Sequence, residues 1–193
     1  MPYKQLVQQI INLPWGKASP ANLILLSRGT AMEFAASLRH AEVLYPHDSR
    51  LKEMISGELK TANMIYEDYV GPGDHWEFLD HFIKKLNITP SSEKIALAIQ
   101  DYTDAVEELL PEERAMTVFS REEELTYVFR KIVKAHDWDA LRYGFYCHYL
   151  ESHILFDSGD GGHHHLTQHF PLHESVLEKF YQIRLNLYAG LFD

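Results

Sequence analysis

The sequence predicts an all-α fold, a multi-helical bundle of seven to nine helices. Apolar residues recur almost throughout at the three- and four-residue spacing of one helix face, and no alternating run with a hairpin turn competes with them. Length gives the third observation: 193 residues with 46% hydrophobic content suffice for one well-buried core and fall short of two. Residues 1–193 therefore read as a single domain.

The elements follow in order. A short helix is expected from Tyr3 to Leu13, ended by Pro14 and Gly16, and Ser19-Pro20 reads as an N-cap with proline in the first turn. Thr30 to Glu33 has the form of a capping box, opening a helix that runs to Tyr45 and is closed by Pro46. From Asp48 a long helix carries Leu51, Ile55, Leu59, Met64 and Ile65 inward and breaks near Val70, at the turn Gly71-Pro72-Gly73. Asp74 caps the next helix, with Glu77 three residues on and Trp76, Phe78, Phe82 and Ile83 as its buried face up to Asn87. Another spans Ser92 to Leu110. Pro111 begins one that passes through Phe119, Leu125, Val128 and Ile132 to about Asp137. The last pair is Trp138 to Asp157 and Leu172 to Leu191, separated by SGDGG and a run of histidines.

Composition removes several classes of function. A net charge of −10, from 28 acidic against 18 basic residues, argues against a duplex nucleic-acid binder, which must neutralise phosphates. Cys147 is the only cysteine, so no intrachain disulfide or multi-cysteine zinc site can form, and any metal must use histidine and carboxylate. No apolar stretch approaches the roughly 18 residues of a membrane span, and the first apolar run is too short for a signal peptide, so the expected location is cytoplasmic. Eight of the twelve histidines lie between His136 and His173, which is the first hint of function.

Two units have metal-ligand spacing. His153 and Asp157, four apart, share one helix face, and the triplet His163-His164-His165 follows the glycine break. Tyr146, Tyr149, Leu150, Ile154, Leu155 and Phe156 surround the pair, and a buried carboxylate needs a partner to stay ionised. At ordinary helix surfaces the same spacing means nothing. The second unit spans the Gly71-Pro72-Gly73 turn, where Glu67 ends one helix and His75 opens the next. A glutamate at a helix C-terminus opposes the macrodipole and wants a cation, which a metal would supply; the plainer alternative is a solvated last turn. Other pairs are set aside: Glu33 is explained by the capping box and His40 by an exposed face, and Pro171 interrupts His169 and His173. Cys147 lacks an activating partner and reads as a small hydrophobe.

The stretches NMIYEDYVGPGDHWEFLDHFIKKLNITP and YLESHILFDSGDGGHHH resemble those of the haem-oxygenase-like di-iron oxidases, in the branch typified by the chlamydial protein associating with death domains. The resemblance runs from about Leu51 to the C-terminus. It implies a haem-oxygenase-like helical bundle in which Glu67 and His75, then His153 and Asp157, then His163 or His164, ligate iron. It also implies a bridging glutamate in VFSREEELTYVFRKI, where Glu122 falls best and Glu123 and Glu124 compete. The implied cofactor is a pair of iron ions, with manganese as the alternative, and oxygen is the implied co-substrate. The chain departs from the family pattern where SGDGG separates Asp157 from the histidines, and where the N-terminal portion is short and lacks the tyrosine-rich early helix.

The expected function is thus a non-haem di-iron oxidase or oxygenase acting on a small organic molecule, with neither nucleic acid nor membrane as partner. Homodimers are common for this fold, but none is required. Two rivals remain: a metal-free enzyme of the thiaminase II or pyrroloquinoline quinone synthase type on the same fold, and a non-enzymatic helical interaction protein, which an exposed rim of Phe170, Leu172 and Tyr181 would favour.

Overall fold

The structure is a computed structural model that describes residues 2–158 and 173–192, with the side chains of Glu122, Glu123, Asp157 and Ser158 left out. Its architecture is all-helical. The described α-helices are α1 (Pro2–Ile11), α2 (Pro20–Leu44), α3 (Ser49–Glu58), α4 (His75–Leu86), α5 (Glu93–Glu107), α6 (Pro111–Thr117), α7 (Glu122–Ala135), α8 (Gly144–Ser158) and α9 (Glu174–Ala189), with a 3-10 turn at Trp15–Lys17. Among the described residues the only β pairing is two isolated bridges, Thr61 with Gly73 and Tyr66 with Tyr69. No helix among them is long and apolar enough to cross a membrane.

Helix α2 is the central element and packs against α3, α4, α5 and α6. It is buried on several sides, through Leu23, Ile24, Leu26, Ala35, Leu38 and Ala41, as a helix surrounded by others must be. Its 25 residues overturn the expected start at Thr30. Ser19 and Pro20 open the helix, and it continues without a break through residues 22–29, where Leu23, Ile24 and Leu26 are buried in the core. The Thr30 hydroxyl donates instead to the carbonyls of Leu26 and Ser27, both at 3.1 Å, so Glu33 has no cap to serve and turns into the core.

Helix α3 also departs from expectation. Asp48 caps it as expected, accepting from the backbone N–H groups of Arg50 (2.9 Å) and Leu51 (3.3 Å). It then ends at Glu58 rather than running on to Val70. The chain turns at Lys60, whose φ is +50°, and returns through the paired Thr61 and Gly73, which exchange two backbone hydrogen bonds of 3.0 Å. Met64 anchors this segment in the core, while Ile65 is exposed, not inward. The turn at Gly71 needs the left-handed backbone that glycine tolerates, with φ +51°.

Helix α4 starts as expected. Glu77 reaches back to accept from the Asp74 N–H at 2.7 Å, and Phe78, Leu79 and Phe82 fill the core. The single helix expected from Pro111 to Asp137 is two, α6 and α7, with a turn at residues 118–121. There the Thr117 and Ser120 hydroxyls donate to the carbonyls of Arg114 (2.8 Å) and Thr117 (3.1 Å), competing with the helical ladder. Val118 and Phe119 pack on Leu38, Leu51 and Met54, and Arg121 is turned inward. Helix α9 covers α1, α5 and α6.

Candidate metal centre

Three elements bring one residue each to a common point. Glu58 is the last residue of α3, His75 the first of α4, and His153 lies in the middle of α8. All three are buried, at 7, 4 and 8% exposure, so the carboxylate must be matched by a positive charge or by donors. One ligand atom from each lies within 4.8 Å of the others. His75 Nδ1 is 2.7 Å from Glu58 Oε2 and 3.1 Å from His153 Nε2.

The outer edges of both imidazoles are held by groups that define which nitrogen carries the proton. The Asn63 amide donates through Nδ2 to the Gly57 carbonyl at 3.0 Å, which leaves its Oδ1 facing His75 Nε2 at 3.0 Å. His153 Nδ1 lies 2.8 Å from the Tyr149 carbonyl, which can only accept. In the neutral rings, the proton is therefore on the outer nitrogen and the lone pair points inward, next to a carboxylate. Two lone pairs and an anion converging this closely repel unless a proton or a metal ion lies among them. Two imidazoles and one carboxylate suit iron, manganese or zinc, so these residues could hold a metal ion.

Asp74 fixes where His75 begins its helix. Its carboxylate accepts from the Lys60 N–H at 3.0 Å, from Trp76 Nε1 at 3.2 Å and from Arg39, tying α4 to α2 and to the chain leaving α3. Burial pushes this carboxyl up, but the bonds from Arg39, Lys60 and Trp76 outweigh it and hold it below its ordinary range.

Of the residues singled out in the sequence, His75 and His153 are brought together. Glu67 is not with them. It sits at φ +50° with its side chain 56% exposed and accepts from Lys85 Nζ at 3.0 Å. The acid that faces the histidines is Glu58, because α3 ends there. The helix-terminal glutamate beside the histidines is thus Glu58 and not Glu67, and the polar stretch from Gly57 to Asn63 was the available signal. Glu122 opens α7, and its side chain, like those of Glu123 and Asp157, lies outside the described residues, as do His163 and His164. Glu124 is fully buried beside Arg184, with Arg184 Nε 2.6 Å from its Oε1. Leu155 and Phe156 face outward, since a helix that turns His153 inward points them away. Cys147 is half-buried, and burial, with Glu151 and Asp139 nearby, pushes its thiol up, so it is not an activated nucleophile.

A second buried group escaped the sequence. Glu33 accepts from Arg121 Nη2 at 3.2 Å and Tyr102 OH at 2.9 Å, and also from Arg121 Nη1 and Ser37 Oγ. Burial alone would raise its carboxyl; the Arg121 guanidinium and these bonds overcome that and hold it below its usual value. Burial raises the Tyr188 phenol to about 12, and its oxygen accepts from Arg184 Nη2 at 2.6 Å. A cavity of about 60 Å³ lies between the two groups, lined by Glu58 and His153 and by Arg121 and Arg184.

Fold and site together define an all-helical protein with a buried cluster of two histidines and one glutamate, the glutamate and one histidine lining a small cavity. Comparison of the chain with protein-family models, with curated proteins and with solved structures found no match.

Proposed function

We propose that the chain is a metal-dependent enzyme, a non-haem iron oxidase or oxygenase acting on a small organic molecule, with Glu58, His75 and His153 holding iron. The observation that carries this is the convergence of His75 Nδ1, His153 Nε2 and a Glu58 carboxylate oxygen within 4.8 Å in a buried site. Two histidines and one carboxylate on one side of a metal leave positions open for oxygen and substrate. The likeness of the flanking stretches to haem-oxygenase-like di-iron oxidases supports a second iron, with Glu122, Asp157 and His163 or His164 as its candidate ligands. When bound, iron supplies the capacity to bind and reduce oxygen. The chain's own residues do the rest: Asn63 and the Tyr149 carbonyl orient the imidazoles, and the apolar cavity wall excludes water from the reacting groups.

The interaction-protein alternative loses part of its support, since Tyr181 is fully buried. Two histidines and a glutamate also serve zinc in hydrolytic sites, and the test must separate the two. The protein is loaded without air with Fe(II), Mn(II) or Zn(II), dialysed, analysed for metal and then exposed to oxygen. Retained iron with oxygen uptake and an optical change supports the oxidase. Retention of zinc alone, without oxygen uptake, turns the assignment to hydrolysis, and retention of no metal overturns both.

Asn63→Ala offers a subtler check. It removes the acceptor that keeps His75 Nε2 protonated while leaving the three ligands in place, so metal affinity should fall roughly 10- to 100-fold. Unchanged affinity by competition with a chelating dye would refute the orienting role.

A further inference from the structure

We propose that the small cavity beside the cluster is a dry binding site for one apolar gas molecule, and that it supplies dioxygen to the metal. The gas site stands on the cavity itself; the supply of oxygen rests on the oxidase reading.

Size decides the class of occupant. The cavity measures about 60 Å³. An apolar cavity of roughly 150 Å³ takes a benzene ring, and the share of one water molecule in the liquid is about 30 Å³. The space beside the cluster is therefore too small for a ring and fits a diatomic gas, a xenon atom or a pair of waters.

The wall decides between gas and water. Leu23, Leu26, Ala31, Val128, Phe129 and Ile132 give it a hydrocarbon surface from α2 and α7. The polar side chains in the wall are already engaged with the protein. Ser27 Oγ shares a hydrogen bond of 2.8 Å with Tyr146 OH, and Thr30 Oγ1 donates to the carbonyls of Leu26 and Ser27. Arg121 is paired with Glu33, and Arg184 with Glu124 and with Tyr188 OH at 2.6 Å. Glu58 and His153 both face His75. A buried water needs about two to four polar partners and would have to compete for groups that these bonds occupy. An apolar gas needs only contact with the hydrocarbon, and its transfer out of water is favourable.

Position connects the site to the chemistry. Two of the three cluster residues, Glu58 and His153, form part of the wall, so an occupant lies beside the metal ligands. Dioxygen is apolar, and holding it here shortens its path to the metal. No bond forms or breaks in this step.

The test uses metal-free protein labelled at its methyl groups. Under xenon, saturable NMR shifts should be confined to the methyls of Leu23, Leu26, Val128 and Ile132. Under oxygen, paramagnetic relaxation should be stronger at the same methyls than at Leu38, which is buried in a separate core cluster. Ala31→Leu fills the cavity and should abolish both effects; should that variant fail to fold, Val128→Ile serves the same purpose from α7. Absence of a saturable xenon shift, or its persistence in the filled variant, overturns the site, and relaxation no stronger than at Leu38 overturns its occupation by oxygen. In iron-loaded protein, the filled variant should need more oxygen to reach half its maximal rate of optical change, and an unchanged oxygen dependence overturns the supply role. Gas binding without iron retention overturns the enzymatic assignment alone, and iron retention with oxygen uptake but no gas binding overturns this inference alone.

Discussion

Glu58→Ala should lower the affinity of the cluster for Fe(II) by more than about a hundredfold, whereas Glu67→Ala should leave it within about twofold of the parent. Changing a residue that merely orients a ligand costs roughly 10- to 100-fold, and removing a ligand costs more. Glu58 is the one carboxylate that the described residues set against both histidines, 2.7 Å from His75 Nδ1. Glu67 is on the surface with Lys85. Metal analysis after dialysis against a chelator of graded strength reads the difference directly. Loss of metal from Glu67→Ala with retention in Glu58→Ala would restore Glu67 as the ligand and reduce Glu58 to a hydrogen-bond partner of His75.

The largest loss of stability is expected at Glu33→Gln, a residue remote in sequence from every candidate ligand. This change leaves the fully buried Arg121 guanidinium without its counter-charge, which costs about 3–5 kcal/mol for buried pairs broken on one side. For a chain of this size that corresponds to a fall in Tm of roughly 6–20 °C. The pH dependence has a definite sign. The Glu33 carboxyl is held below its ordinary value of 4.5, so its contribution is fully present above that value and is lost as pH falls through the lower, folded-state value. The stability gap between the parent and Glu33→Gln should therefore be constant near neutrality and close on acidification below about 4.5. Asp48, Asp74 and Asp80, whose carboxyls are also held low, contribute equally to both proteins and cancel in the difference. Urea denaturation across that range measures the gap. A gap that is absent at neutral pH would mean that Arg121 is not held by Glu33. The double variant Glu33→Gln, Arg121→Met should recover most of the loss, because it removes the orphaned charge as well.

Much of the architecture was legible in the residues. Helical periodicity specified an all-α chain, Asp48 and the pair Asp74 with Glu77 marked two helix starts, and Gly71 marked a turn. His75 and His153 were each singled out as candidate ligands, but in separate units, His75 with Glu67 and His153 with Asp157. Tertiary structure brought the two histidines together and set Glu58, not Glu67, beside them. Local propensities on either side of Glu58 differ by tenths of a kcal/mol, and α3 stops there because the following segment gains the Thr61–Gly73 pairing, the Lys60–Asp74 bond and burial of Met64. The break before α7 is of the same kind: the ion pair of Arg121 with Glu33 joins residues 88 positions apart. Periodicity reports only what one segment can do alone, so an acid on a helix face looks the same whether it meets water or a buried arginine, and only the packing of a second helix against it decides which.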